Sequence, residues 1–403
     1  MITTDSSLRH EMYISRLASG IVSARVNPAY YDLSEAVRLA LIDYAPDMPR
    51  KEFDALRREV QAEAEKQLKA MWQGVTQDLV DLANYEAGYT AKELSGVTPV
   101  ASAVAAGTAS ELVLTSGTLT RVGTWDEYVR GAIDSTKTRI IDNTIRAGRE
   151  EGLTQQQMVK KLVGLKKNDY ADGLLTNTGR REAETLVRTG ASHYANRSRD
   201  VAAAANADLL EGKVFVATFD SRTTLTCRHF GQLKKIYALD DRSAPVLPLH
   251  YNERSIYSLV PKGFDPFDGT RAAVGGQKGE EAKAEFEARQ ERLDKRRAKN
   301  AERRAEGEQD VPTVPTKPTY KGSKDGDIFK AGQIDASTSM DSWLREQPSW
   351  FQDSALGPTR AKLMREGGLT VDKFTDMNGK PLTLKQMREL DEYDSAFRKA
   401  GLK

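Results

Sequence analysis

The sequence predicts a mainly α-helical chain with one small antiparallel β subdomain, an α+β protein drawn out into several segments. Three observations predict it. Apolar residues recur at three- and four-residue steps through most of Glu11 to Leu210. Runs of β-branched and aromatic residues concentrate between Lys213 and Lys262. Beyond Lys262 the composition shifts to glycine, then to alternating charge, then to proline and threonine. At 403 residues the chain is long enough for two or three domains. It is 39% hydrophobic, 7% aromatic and 29% charged, with a mean hydropathy of −0.57, which is thin for one compact globule.

Residues 1–94 read as a helical docking region. Asp47 and Pro49 suit a helix start. From there Phe53, Leu56, Val60, Leu68, Met71, Val75, Leu79 and Leu82 trace one apolar stripe on a long amphipathic helix. Such a stripe must be covered. The neighbouring segment Tyr30–Tyr44 can cover it within the chain; a partner protein docking on Leu68, Met71, Val75 and Leu79 is the other reading.

Residues 95–123, rich in Ala, Ser, Thr and Gly, read as a small-residue connector. Pro99, its glycines and Glu111 argue against a membrane span there. Residues 124–262 follow as helices and then the β subdomain at 213–262. Thr124-x-x-Glu127 and Thr154-x-x-Gln157 are capping-box patterns that open helices. Arg180 to Leu210 is a further helical stretch. Residues 263–333 read as a tether, about 60 of them from Gly263 to Lys321, with a solvated single helix at Glu280 to Gln309 and a stiff Pro/Thr spacer at Val311 to Lys321, reaching on the order of 100 Å. Residues 334–403 form a short helical module whose last helix opens with Thr383-x-x-Gln386. Trp343, Trp350 and Phe351 either fill its core or anchor a partner.

Composition limits the function. With 60 basic and 58 acidic residues the net charge is +2, so no global field draws the chain to nucleic acid or membrane. One cysteine excludes an intrachain disulfide. The first ten residues lack the basic-then-apolar layout of a signal peptide, so we expect synthesis in the cytosol.

The β-rich island carries two of the four histidines and the single cysteine. Its order is strand, Asp220-x-Arg222-Thr223, Cys227, Gly231, strand, Pro248-x-His250, Arg254, strand. This order resembles the core of the phage head-morphogenesis family, the minor head proteins typified by the F protein of phage Mu. Asp220, Arg222, Thr223, Cys227, Gly231, Pro248, His250 and Arg254 fall at matching places; the family's further cysteines are absent. Trp343-Leu-Arg-Glu-Gln347, Phe351-Gln352, Leu356-Gly-Pro-Thr-Arg360 and Leu382-Thr-Leu384 look like the tail found on many members. The resemblance implies a structural, non-enzymatic protein of the virion, made in the host cytoplasm, bound to the portal complex inside the capsid, and leaving with the DNA on infection.

Other chemistries were weighed. Cys227, His229 and His250 offer metal ligands, but Glu253 stands where the family pattern often has cysteine, and a Cys-His-His-Glu set is unusual for structural zinc. We therefore expect no metal and no cofactor, with Cys227 as a small buried hydrophobe and His250 ordering its loop. Asp220 is expected to cap its turn and to pair with Arg254. A hydrolytic site from Asp220, His229 and His250 lacks a nucleophile elbow. Ser337-Thr338-Ser339 is similar to the strand motif of ADP-ribosyltransferases but lacks its flanks. Gly275-Gly276-Gln277-Lys278-Gly279 lacks P-loop spacing and reads as flexible. The cluster Arg180, Arg181, Arg188, Arg197 and Arg199, and the triplet Lys295, Arg296 and Arg297, allow weak contact with packaged DNA, so a DNA-binding ejection protein is the alternative.

Overall fold

A computed structural model describes residues 2–96, 113–116, 121–168, 170–305 and 328–402. The protein is mostly helical, 64% of it, with small antiparallel sheets, as the sequence predicts. No helix among the described residues is long and apolar enough to cross a membrane. Most of the 95–123 connector, and all of the Val311 to Lys321 spacer, lie outside the described residues. The chain divides into two units, Met1–Val216 with Lys235–Pro266, and Ala217–Lys234 with Phe267–Lys403. Each is described by itself.

The first unit opens with α1 (Thr4–Ile21), a π turn (Val22–Val26) and α2 (Asn27–Ala40). The Asn27 N–H reaches back five residues to the Val22 carbonyl. Pro28 then has no N–H to give, so the wider turn falls where the regular ladder must break anyway. Pro49 caps α3 (Arg50–Ser95), the long helix expected from the stripe. β1 (Val113–Ser116) and β2 (Arg121–Thr124) pair antiparallel. They lead to α4 (Trp125–Asp134), α5 (Asn143–Glu150), α6 (Gln155–Leu162) and α7 (Arg181–Ala204). The capping boxes at Thr124 and Thr154 both form, each hydroxyl accepting from the backbone N–H three residues on.

The stripe on α3 is covered within the chain. Leu68, Met71, Val75 and Leu79 are at most 5% exposed and belong to one core with Tyr30, Leu33 and Val37 of α2 and Val187, Ala191 and Tyr194 of α7. The partner-docking reading of those four residues is therefore corrected: α2 and α7 occupy the face that a partner would need. Three aromatic rings tie the layers together. Trp125 meets Trp72 and Tyr194 edge to face, each with 5.9 Å between centroids, and its Nε1 donates to Thr76 Oγ1 at 2.8 Å.

The sheet of this unit is three-stranded and antiparallel, with β3 (Leu210–Val216) between β4 (Ile236–Tyr237) and β5 (Ile256–Pro261). Register runs from Leu210 opposite Pro261 to Val216 opposite Ile256. Gly212 is needed there, since a Cβ would lie 2.2 Å from the Tyr237 carbonyl oxygen.

The second unit takes α8 (Leu225–Leu233) from the middle of the island. The expected single β subdomain at 213–262 is thus corrected: its strands sit in one unit and the Asp-x-Arg-Thr turn with its helix in the other. The 263–333 tether is corrected as well. β6 (Thr270–Gln277) pairs antiparallel with β7 (Ile328–Asp335), from Thr270 opposite Asp335 to Gln277 opposite Ile328. Pairing holds the two ends of that segment side by side within the unit, so it does not run as a spacer from one end to the other. Only α9 (Gly279–Ala305) keeps the expected charged helix, with Glu291 bonded to Lys295 at 2.7 Å. Of the glycines taken as flexible, Gly275 and Gly276 are strand residues and Gly279 opens α9; a Cβ at Gly276 would stand 2.8 Å from Phe351 Cβ and 2.9 Å from the Trp350 ring.

Short helices complete the unit: α10 (Met340–Arg345), α11 (Ser349–Leu356), α12 (Pro358–Arg365), α13 (Leu384–Arg388) and α14 (Asp391–Lys399). The Thr383 capping box opens α13. Trp343 and Phe351 are buried, their rings perpendicular at 5.6 Å, and Trp350 is half-buried against Phe329. These aromatics fill a core, which corrects their reading as an anchor. The reason is close supply: Phe219, Phe329 and the β6 glycines give them neighbours inside the unit.

Leu79→Ala is expected to cost about 2–5 kcal/mol, seen as a lowered urea midpoint. Leu39→Ala, at a position 53% exposed, should stay within about 0.5 kcal/mol. Gly276→Val should cost about 1–3 kcal/mol by overpacking against Phe351, with loss of near-ultraviolet tryptophan ellipticity.

Candidate functional site: a buried charge network

The groups with the most unusual environment in the first unit lie on three helices. Glu86 of α3 has no exposure, yet it is held by two cations or potential cations. His10 Nε2 of α1 lies 2.6 Å and 2.9 Å from its two oxygens, and Arg199 Nη2 of α7 donates to Oε1 at 2.5 Å. Arg199 Nη1 also donates to the Tyr257 carbonyl on β5 at 3.2 Å. The Tyr89 ring stacks on His10, 3.7 Å between centroids and 6° from parallel. Burial alone would push the Glu86 carboxyl up, but Arg199 and His10 overcome it and hold it below the usual carboxylate range.

Glu11, next along α1, is 3% exposed and has the opposite fate. Ser15 Oγ is 3.4 Å from its Oε1, and its Oε2 has no hydrogen-bond partner among the described residues. Burial pushes its carboxyl up to about 8; Arg199 pulls it down, while the Glu253 and Glu86 carboxylates add to the rise. Glu93 is likewise raised, mainly by burial. Sequence reasoning named Arg199 only as part of a basic cluster and missed His10, Glu11 and Glu86. One signal was available: acids at Glu86 and Glu93 share the apolar face of the α3 stripe.

The island residues were placed as follows. In the second unit, Asp220 Oδ1 accepts from the N–H groups of Arg222 and Thr223, both at 2.9 Å, and from Thr223 Oγ1 at 2.9 Å. Asp220 therefore caps its turn. The guanidinium seated on that turn is that of Arg228, fully buried, which donates to the carbonyls of Thr223 and Asp220 at 2.9 Å and 2.6 Å. Arg254, named from the sequence, belongs to the first unit. Arg222 itself is exposed. Cys227 is buried on the first turn of α8, where Thr224 caps the helix. A Cβ on Gly231 would come within 2.9 Å of Ala217 Cβ, so α8 needs glycine there to lie against that backbone. His229 Nδ1 is 2.9 Å from Thr375 Oγ1, and burial lowers its pKa against the pull of Asp372 and Asp376.

In the first unit Pro248 is buried, and His250 follows it, half-buried, with Nδ1 2.9 Å from the Tyr251 carbonyl and Nε2 3.3 Å from Glu253 Oε2. Glu253 Oε1 in turn accepts from the N–H groups of Arg254 and Ser255, at 3.0 Å and 2.8 Å. The basic cluster on α7 is largely engaged. Arg199 is buried, Arg188 bonds Glu184 at 2.8 Å, and Arg180 donates to Asn27 at 3.0 Å. Arg181 and Arg197 remain exposed. A cleft of about 950 Å³ opens beside α4 and α7, lined by Glu127, Asn177, Arg181, Glu182 and Tyr251 among others. Of the residues singled out as candidate contacts from the sequence, Arg181 of the basic cluster lines it, and none of the island motif residues does.

Searched against known protein families, curated proteins and solved structures, the chain matches none.

Glu86→Ala strands Arg199 and His10 in the interior and is expected to cost about 3–5 kcal/mol, measured by urea unfolding. Glu86→Gln, which keeps an acceptor, should cost less.

Proposed function

We propose that this chain is a structural, non-enzymatic minor head protein of a tailed phage, acting in head morphogenesis by binding the portal complex from inside the capsid. The reading rests on the ordered resemblance of the island and tail to the head-morphogenesis family. The observation that supports it most is the use of the motif residues. Asp220, Thr223, Gly231 and Pro248 shape turns and close contacts, which is work a scaffold needs. On this reading the protein is made in the host cytoplasm and ends in the virion, near the portal and the packaged DNA, with which it leaves on infection.

With the α3 stripe and the module's tryptophans buried, portal contact has to use other side chains. Tyr31 and Leu39 of α2 and Ile42 in the turn after it are 48%, 53% and 60% exposed and offer large side chains to a partner. Co-expression of the full chain with the portal protein of its phage, followed by gradient sedimentation, tests the proposal. The expected result is comigration with portal rings, weakened at least tenfold by Leu39→Asp with Ile42→Asp. Portal rings that assemble fully while the chain stays at the top of the gradient would overturn it.

A further inference from the structure

We propose that α1 is a pH-governed latch, docked on α3 and α7 while Glu11 is the neutral acid and coming away as that acid ionises. The docking contacts are all in the first unit. Leu8, Ile14 and Ala18 bury the inner face of α1, Ser7 Oγ donates to Ser258 Oγ at 2.9 Å, and the Thr4 N–H donates to the Pro266 carbonyl at 3.1 Å. Glu11 sits in the middle of that face.

Geometry argues for the neutral form before any titration is considered. A carboxylate needs donors on both oxygens when water is absent. Glu11 has one long contact from Ser15 and, among the described residues, nothing on Oε2. The single guanidinium nearby, Arg199, gives Nη2 to Glu86 and Nη1 to the Tyr257 carbonyl, and its Nε, though without a partner among the described residues, makes no hydrogen bond to Glu11. Two carboxylates add negative charge at Glu11, Glu86 from α3 and Glu253 from the segment before β5, where it faces His250, while Glu93 of α3 is itself raised, mainly by burial. His10 is turned to Glu86, and the Tyr89 ring covers it, with its own phenol pushed up to about 12 mainly by burial. An ionised Glu11 would thus be a further negative charge beside two carboxylates, with no hydrogen bond from either basic side chain.

The sign follows from linkage. Burial holds the Glu11 carboxyl up to about 8 when docked, against its ordinary 4.5 when exposed. Between those values the docked form holds a proton that the undocked form has released. Docking is therefore strongest below 4.5, weakens as pH rises, and levels off above about 8. One proton corresponds to a fall in the docked-to-undocked ratio of up to about tenfold per pH unit.

Hydrogen exchange on the full chain between pH 6 and 9.5, followed by mass spectrometry and corrected for intrinsic exchange, reads the latch. Protection of α1 amides should fall with pH in the wild type and lie flatter in Glu11→Gln, while α12 amides serve as the internal reference. Glu11→Met removes the same titration and replaces the glutamine variant if that one fails to fold. Equal profiles in wild type and variant, or wild-type protection that stays flat to pH 9.5, overturn the proposal.

Discussion

A carboxylate with no access to water, gripped by an imidazole and a guanidinium from two other helices, sets the terms for the first unit. Glu86, His10 and Arg199 each lie at most 6% exposed. None could be placed there alone, because an isolated buried charge costs several kcal/mol. The three helices that carry them are therefore committed to one another. Apolar contacts alone would allow α1 to slip by a turn at modest cost. A slip would carry His10 off Glu86 and leave the imidazole buried without its partner, so this contact fixes the register in which Leu8, Ile14 and Ala18 meet their neighbours.

Much of the helical unit was legible in the sequence because its signals are local. The α3 stripe is a repeat within one helix, and the capping boxes at Thr124, Thr154 and Thr383 each span three residues. The runs near Phe215, Ile236 and Tyr257 did become strands of one antiparallel sheet. What periodicity cannot say is what covers a stripe. Leu68 to Leu79 read equally well as core or docking face until α2 and α7 were seen to lie on them.

The misread parts depend on distance along the chain. His10 and Glu86 are 76 residues apart, and Glu86 and Arg199 are 113 apart; no window of sequence contains such a pair. The β6–β7 ladder failed for a different reason. Arg271-Ala-Ala-Val-Gly-Gly276 looks flexible because its side chains are small, yet smallness is what lets Phe351 and Trp350 close on the strand. A partner strand that begins at Ile328 was hidden behind the charged helix between them. The glycines were read by their entropy when packing decided the outcome.

The two halves of the island motif use one physical device. Asp220 accepts from the two N–H groups that lie two and three residues on, and Glu253 from the two that follow it directly. In each case an acid spends an oxygen on backbone donors that a tight turn leaves unpaired. Arg228 does the complementary job for the carbonyls of Asp220 and Thr223. Acids and a guanidinium of the island thus satisfy irregular backbone within their own turns. Local satisfaction of that kind is what a loop needs to keep its shape without a large core beneath it.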